Sequence, residues 1–158
     1  MSKAEPKGII GKTEENGMPV IWSFVNELPA REDRELLPWL IVMAWQYDGS
    51  ERNGMPSEEI NKKMLMLEEA LEPLEQTGKH VLVYCRTGNG FKEFAYYAYN
   101  TEAFMDSLNC ALASHDRYPI ETRFYEDREW SDFCKLLENF GYAQQSVQPD
   151  RREDAAPG

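Results

Sequence analysis

The chain has 158 residues, of which 42% are hydrophobic and 12% aromatic, and this length and composition favour one packed domain over two. It carries 28 acidic against 17 basic residues, a formal net charge of -11, which disfavours binding to nucleic-acid phosphates or anionic lipid heads. No run of about 18 apolar residues is present, so the sequence predicts no membrane helix. Its first residues, "MSKAEPKGIIGKTEENG", are polar, and we expect a cytoplasmic protein.

The three cysteines are widely spaced and form no C-x-x-C pair. This pattern predicts reduced, mostly buried thiols rather than a disulfide framework or a zinc site. The sequence also lacks a phosphate-binding loop, a dinucleotide fingerprint and a His-rich metal pattern. It therefore predicts no cofactor.

Both ends of the chain have few apolar residues, and we expect residues 1–17 and 143–158 to be disordered tails around a single domain at 18–142. Inside that domain, "VIWSF" at 20–24 and "WLIVMAWQY" at 39–47 are rich in β-branched and aromatic residues. Both segments are predicted to be strands.

An amphipathic helix is predicted to begin after Ser57, which can cap its N-terminus. Its apolar residues, spaced by three or four positions, are Ile60, Met64, Leu67, Leu71 and Leu74. Strands at 80–86 and 91–100 follow, on either side of Asn89 and Gly90, a dipeptide that suits the tight turn of a hairpin.

A second helix is predicted after Thr101 as its cap, and a half-buried strand at 119–127 follows from alternating apolar and polar residues. Asp127 can cap a last helix that ends at Gly141. The apolar stripe of this last helix is Trp130, Phe133, Leu137 and Phe140.

Residues 39–127 therefore run strand, helix, strand, strand, helix, strand, which is the order of the ferredoxin-like split βαβ unit. We predict an α+β sandwich of this kind, with an extra N-terminal edge strand and a C-terminal helix. Right-handed crossovers place the strands 39–47 and 91–99 side by side in the middle of the sheet, with 80–86 and 119–126 at its edges.

Catalytic residues are scarce in this sequence. Cys85 lacks the arginine that a phosphatase loop needs six positions later, where this chain has Phe91. His80 and His115 stand apart from any serine or cysteine in a recognisable motif and are interpreted as surface residues. We therefore expect no enzymatic activity.

The strand Lys92–Tyr99, "KEFAYYAY", partly matches the RNA-recognition pattern in which aromatic side chains stack on bases. An RNA-binding module is thus an alternative hypothesis. It requires Phe94 and Tyr96 to point to the open face of the sheet, away from the helices.

A two-residue turn would pair Arg86 with Glu93 and Val83 with Tyr96, and would point Phe94 towards the helices. A three-residue loop would reverse this phase, because a slip of one residue exchanges the two faces of a strand. The two-residue turn and the acidic composition both disfavour RNA binding.

The same pairing leaves a set of tyrosines and arginines on the face that the crossover helices do not cover. These residues are Tyr84, Arg86, Tyr97, Tyr99, Arg123 and Tyr125. Such a mixture is enriched at protein interfaces, so we expect them to dock a protein partner, and an acidic surface favours a basic one. The alternative is that this face is covered by the N-terminal segment or half-exposed.

Three phrases resemble a known family: "NGMPSEEINKKMLMLEEALEP", "RTGNGFKEFAYYAYN" and "FYEDREWSDFCKLL". Over about residues 36 to 140 the chain is similar to the bacterial family called domain of unknown function 695. That family has no established activity, so the resemblance implies no catalytic residue. The family is in turn similar in architecture to the ferredoxin-like inhibitory regulator of ribonuclease E, an acidic protein that binds an enzyme. The resemblance thus implies a bacterial regulatory domain or a ribonuclease-regulator-like inhibitor.

Overall fold

The computed structural model describes residues 8–142, which form an α+β structure with a six-stranded antiparallel sheet and four α-helices. The strands are β1 (Gly8–Glu15), β2 (Met18–Val25), β3 (Trp39–Gln46), β4 (His80–Gly88), β5 (Phe91–Ala98) and β6 (Ile120–Glu126). The helices are α1 (Arg31–Glu35), α2 (Glu58–Leu71), α3 (Thr101–Ala111) and α4 (Ser131–Asn139), with a 3-10 helix at Glu72–Thr77 directly after α2.

The strands lie in the order β1-β2-β4-β5-β3-β6, and each neighbouring pair is antiparallel. The predicted strands 39–47 and 91–99 correspond to β3 and β5, which are neighbours, so this prediction is confirmed. Within the described residues, no helix is long and apolar enough to cross a membrane.

The expectation of a disordered tail at 1–17 is wrong for residues 8–15, which form the edge strand β1; the residues before Gly8 lie outside the described part. The domain therefore begins before residue 18, and β2 lies between β1 and β4 instead of at an edge. Asn16 and Gly17 form the turn between β1 and β2, with φ angles of 54° and 76°. This dipeptide is the same hairpin signal that predicted the turn at 89–90. The tail expected at 143–158 also lies outside the described residues.

The capping predictions hold at α2 and need a small correction at α3. The Ser57 hydroxyl accepts a 3.2 Å hydrogen bond from the backbone N–H of Ile60, as predicted. At α3 the cap is Asn100, whose side chain accepts a 2.7 Å bond from Ala103, and Thr101 is the first helical residue. Asparagine and threonine can both cap a helix, so the sequence alone did not decide whether α3 begins after Asn100 or after Thr101.

The β4–β5 hairpin has the predicted two-residue turn, with Arg86 opposite Glu93. Further from the turn, the predicted pairing of Val83 with Tyr96 is wrong, because a bulge at Val83 brings Leu82 opposite Tyr96. The bulge inserts one residue into β4 and so changes the alternation of its side chains.

The sheet has an apolar core on each face. One core lies under α2 and α3 and contains Ile41, Met43, Trp45, Met64, Leu67, Phe94, Tyr96, Phe104 and Leu108. The other lies under α4 and contains Phe24, Leu40, Val83, Tyr84, Tyr97, Trp130, Phe133 and Leu137. Because both cores share one sheet, the described residues form a single packed unit.

Candidate binding groove

Helix α4 covers much of the sheet face that the sequence left open. The Tyr97 ring stacks on Trp130 with centroids 3.9 Å apart, and its hydroxyl donates a 2.6 Å hydrogen bond to Asp127. Asp127 also accepts hydrogen bonds from the backbone N–H groups of Ser131 and Asp132, so its side chain caps the first turn of α4 as predicted, although the N-cap position is occupied by Trp130. These contacts fix the first turn of α4 against the middle of the sheet.

The prediction that six tyrosines and arginines lie on an open face is therefore wrong for three of them. Tyr97, Arg86 and Tyr84 are 0%, 3% and 8% exposed. Tyr97 lies beneath α4, whereas Tyr84 packs against Trp22 with ring centroids 5.6 Å apart. The apolar side chains of α4 and of the β1–β2 hairpin must pack against another surface to be buried, and this face of the sheet provides that surface.

The other three predicted residues, Tyr99, Arg123 and Tyr125, are exposed. Of these, Arg123 and Tyr125 border a groove between β6 and the start of α4, whereas Tyr99 does not line it. Tyr84 reaches the same groove from β4. The structure thus brings together Tyr84, Arg123 and Tyr125, and it places Arg86 and Tyr97 in the interior.

We call this feature the Glu93 groove. It has a volume of about 290 Å³ and is lined by Leu40, Val42, Ala44, Tyr84, Glu93, Arg123, Tyr125 and Asp132. A second cavity of about 340 Å³ shares Ala44, Glu93 and Arg123 with it and continues the groove to Gln46 and Glu121. The floor follows β3 from Leu40 to Gln46, which corresponds to about 20 Å at the rise of an extended strand.

Glu93 is the most unusual residue of the groove, because it is a partly buried carboxyl on a central strand. Burial raises its pKa above the ordinary glutamate value, and the positive charge of Arg86 lowers it in part. Asp132, at the other end, accepts a 2.9 Å hydrogen bond from the Tyr84 hydroxyl. Arg123 is held by Glu121, with nitrogen and oxygen 3.1 Å apart. The groove thus carries more negative than positive groups.

Arg86 lies opposite Glu93 on the neighbouring strand β4 and is buried. Its guanidinium lies 4.1 Å from the centroid of the Phe91 ring and 3.0 Å from a carboxylate oxygen of Glu15 on β1. The geometry of that contact is poor for a hydrogen bond, so the interaction with Glu15 is mainly electrostatic. The pair ties the edge strand β1 to the centre of the sheet.

The RNA-binding alternative required Phe94 and Tyr96 on the open face, and the structure contradicts that requirement. Both side chains are 1% exposed and lie in the core under α2 and α3. Bases cannot stack on rings that are already covered by helices. The expected phase, with these two residues facing the helices, is confirmed.

The cysteine and histidine side chains lie outside the groove. Burial raises the pKa of the Cys85 thiol to about 12, so it stays protonated at neutral pH. The interpretation of His80 as a surface residue is wrong, because its side chain is buried. Its imidazole lies 3.3 Å from the Ser107 hydroxyl. Burial lowers the pKa of this histidine. Residues 8–142 contain no group of three His, Cys, Asp or Glu side chains that could hold a metal ion.

Sequence reasoning missed Glu93 and Asp132 as groove residues. A charged residue in the strand of a buried hairpin was a usable signal for Glu93, since such positions are normally apolar. Asp132 gave no signal of its own, because its place depends on where α4 packs.

Comparison with protein families gives a match over most of the chain. A family model described as "Family of unknown function (DUF695)" matches residues 12–137, which include β3 to β6 and most of α4. No curated protein and no solved structure matches the chain. Since the family model covers more than half of the sequence, this chain belongs to the DUF695 family.

Proposed function

We propose that this chain is a non-enzymatic protein-binding or regulatory domain of a bacterial cytosol, and that the Glu93 groove is its docking site. The observation that carries the proposal is the combination of an apolar floor with a partly buried carboxyl at Glu93, whose pKa is raised by burial. A carboxyl held in such a place costs folding stability, and a positively charged ligand group would offset that cost.

The groove suits an extended segment that carries a lysine or arginine. Its floor is about 20 Å long, the length of roughly six residues in a strand. Leu40, Val42 and Ala44 offer apolar contacts, while Glu93 and Asp132 offer two carboxylates for cationic side chains. Tyr125 is 46% exposed at the rim, where a tyrosine adds contact area at a small entropic cost.

The charge of the whole chain supports a basic partner. With a formal net charge of -11, the protein attracts positively charged segments over long range and speeds their encounter. The same charge works against a nucleic-acid partner. Three free cysteines among the described residues agree with a reducing compartment.

For the fold we propose the ferredoxin-like split βαβ unit over β3 to β6. The strand order β4-β5-β3-β6, with α2 and α3 as the two crossovers, supports it. The sequence resemblance also implied a second candidate, an inhibitor that binds an enzyme, and we keep it as an alternative proposal. This candidate uses the same groove and differs only in the partner.

A peptide selection tests the docking site. Random twelve-residue peptides displayed on phage are selected on the wild-type protein and on the double variant Glu93→Gln/Asp132→Asn. We expect the wild type to enrich peptides with a lysine or arginine between apolar residues, and the variant to lose them. The matched control is Glu102→Gln/Asp106→Asn, which removes the same charges from exposed positions of α3. If the groove variant and the control select the same peptides, the groove is not the docking site.

A further inference from the structure

A second cleft lies at the other side of the sheet, between α2 and the loop that precedes β6. Its volume of about 600 Å³ is within the range of sites for small molecules. Side chains from β3, from α2 and from the loop before β6 line it, among them Trp45, Ile60, Lys63, Met66, Arg117 and Tyr118. We call it the Trp45 cleft. It shares Gln46 and Pro119 with the extension of the Glu93 groove, and its other lining residues are separate from that groove.

The inner wall of the cleft is aromatic and apolar. The Tyr118 ring packs on Trp45 with centroids 5.7 Å apart, and Ile60 and Met66 face them from α2. Met66 is 53% exposed, so α2 presents a large apolar side chain to solvent at this position. A flat apolar ligand would cover this surface and gain the free energy of burying it.

The mouth of the cleft has the opposite charge to the rest of the chain. Lys63 and Arg117 supply two positive charges, and Asp116 supplies one negative charge. The His115 imidazole lies 2.9 Å from the Tyr118 hydroxyl, so the loop is held in place by a contact within the cleft. In a chain with a net charge of -11, a local positive excess marks a place for an anion.

We propose that the Trp45 cleft binds a small amphipathic anion, an aromatic or aliphatic carboxylate or sulfonate. The apolar part of the ligand packs between Met66 and the Tyr118 ring that covers Trp45, and its acidic group contacts Lys63 and Arg117. This inference is independent of the docking function, because none of these residues lines the Glu93 groove.

The probe for the test is 8-anilinonaphthalene-1-sulfonate, which combines aromatic rings with one permanent negative charge. Calorimetric titration of the full chain should give one saturable site. The double variant Lys63→Gln/Arg117→Gln should weaken it roughly three- to tenfold, the range expected for two exposed ion pairs. The control Lys62→Gln/Arg128→Gln changes the net charge equally at positions outside the cleft, and should leave the affinity within about twofold.

A second pair of variants tests the apolar wall. Met66→Glu should abolish binding, whereas Leu65→Glu, a neighbour with 51% exposure that does not line the cleft, should retain it. Circular dichroism of each variant shows whether the fold is intact. N-phenyl-1-naphthylamine, which lacks the sulfonate, should bind more weakly than the charged probe. The absence of saturable binding, or equal losses in the cleft variants and their controls, would overturn the proposal.

Discussion

Tyr97 lies flat against Trp130, with ring planes 8° from parallel, and its hydroxyl donates a hydrogen bond to Asp127. One side chain thus joins the central strand β5 to both the ring and the cap at the start of α4. Stacked aromatic pairs and hydrogen bonds to a carboxylate are among the stronger contacts of a protein interior. This contact decides which part of the sheet is covered and which part remains as the groove.

Replacement of Tyr97 should therefore lower the stability of the fold. Tyr97→Ala removes a fully buried ring and should lower the free energy of unfolding by about 3–5 kcal/mol. Tyr97→Phe keeps the ring but removes the hydroxyl, which donates to the Asp127 carboxylate and accepts a 3.4 Å hydrogen bond from the backbone N–H of Phe133; it should cost about 1.5–3 kcal/mol. Chemical denaturation measures both. Tyr99→Ala, at a position that is 52% exposed, is the matched control and should change stability by less than about 0.5 kcal/mol.

The pKa of Glu93 predicts a pH dependence. Burial makes the folded protein hold this proton to a higher pH than the unfolded chain does. The contribution of Glu93 to stability is therefore greatest at low pH and falls as the pH rises from the unfolded to the folded pKa. Glu93→Gln should be more stable than the wild type at pH 8, and the difference should vanish below about pH 4.3, the ordinary glutamate pKa. Thermal unfolding across this range is the measurement, and a constant difference would contradict the assignment.

The Arg86–Glu15 pair predicts a link between the first strand and the groove. Glu15→Gln leaves the buried guanidinium without its carboxylate and should destabilise the fold by about 1–3 kcal/mol, since Glu15 itself is partly exposed. Glu14→Gln, its exposed neighbour on β1, should be nearly neutral. Arg86→Met should also raise the pKa of Glu93, because the positive charge of Arg86 lowers it. Carboxyl chemical shifts followed by NMR against pH test this; a fall in that pKa would be the wrong sign.

The three cysteines should differ in reactivity. Cys110 is exposed, whereas burial raises the pKa values of the Cys134 and Cys85 thiols, the latter to about 12. Since the thiolate is the reactive form, iodoacetamide at pH 8 should label Cys110 first and Cys85 only after unfolding. Peptide mass spectrometry over time gives the order. Early labelling of Cys85 would mean that its thiol is more accessible than the structure shows.

Local signals in the sequence predicted much of the architecture. The spacing of Met64, Leu67 and Leu71 gave α2 and its buried face, and the Asn89-Gly90 dipeptide gave the hairpin and the phase of Phe94. Strand β1 was missed although Asn16-Gly17 is the same signal, because its residues are mostly polar or small. An edge strand has one neighbour and needs little apolar surface.

The candidate site was harder to predict, for a physical reason. Periodicity shows that α4 has an apolar stripe, but it does not say which surface the stripe covers. The prediction of an open face considered only the two crossover helices, α2 and α3. A third helix, α4, also packs on the sheet, and Trp130 and Phe133 at its start cover Tyr97. The groove is what remains uncovered after α4 packs, so its residues, Glu93 and Asp132 among them, depend on tertiary structure.

The affinity of a lysine-bearing peptide from the phage selection tests the central claim most directly. Its dissociation constant is measured by calorimetry for the wild type, for Glu93→Gln/Asp132→Asn and for Glu102→Gln/Asp106→Asn. We predict a loss of about tenfold or more in the groove variant, since the partly buried carboxyl of Glu93 and the exposed carboxyl of Asp132 both lose their charge, and less than about twofold in the control. Equal affinities for all three proteins would contradict the proposal that the Glu93 groove is the docking site.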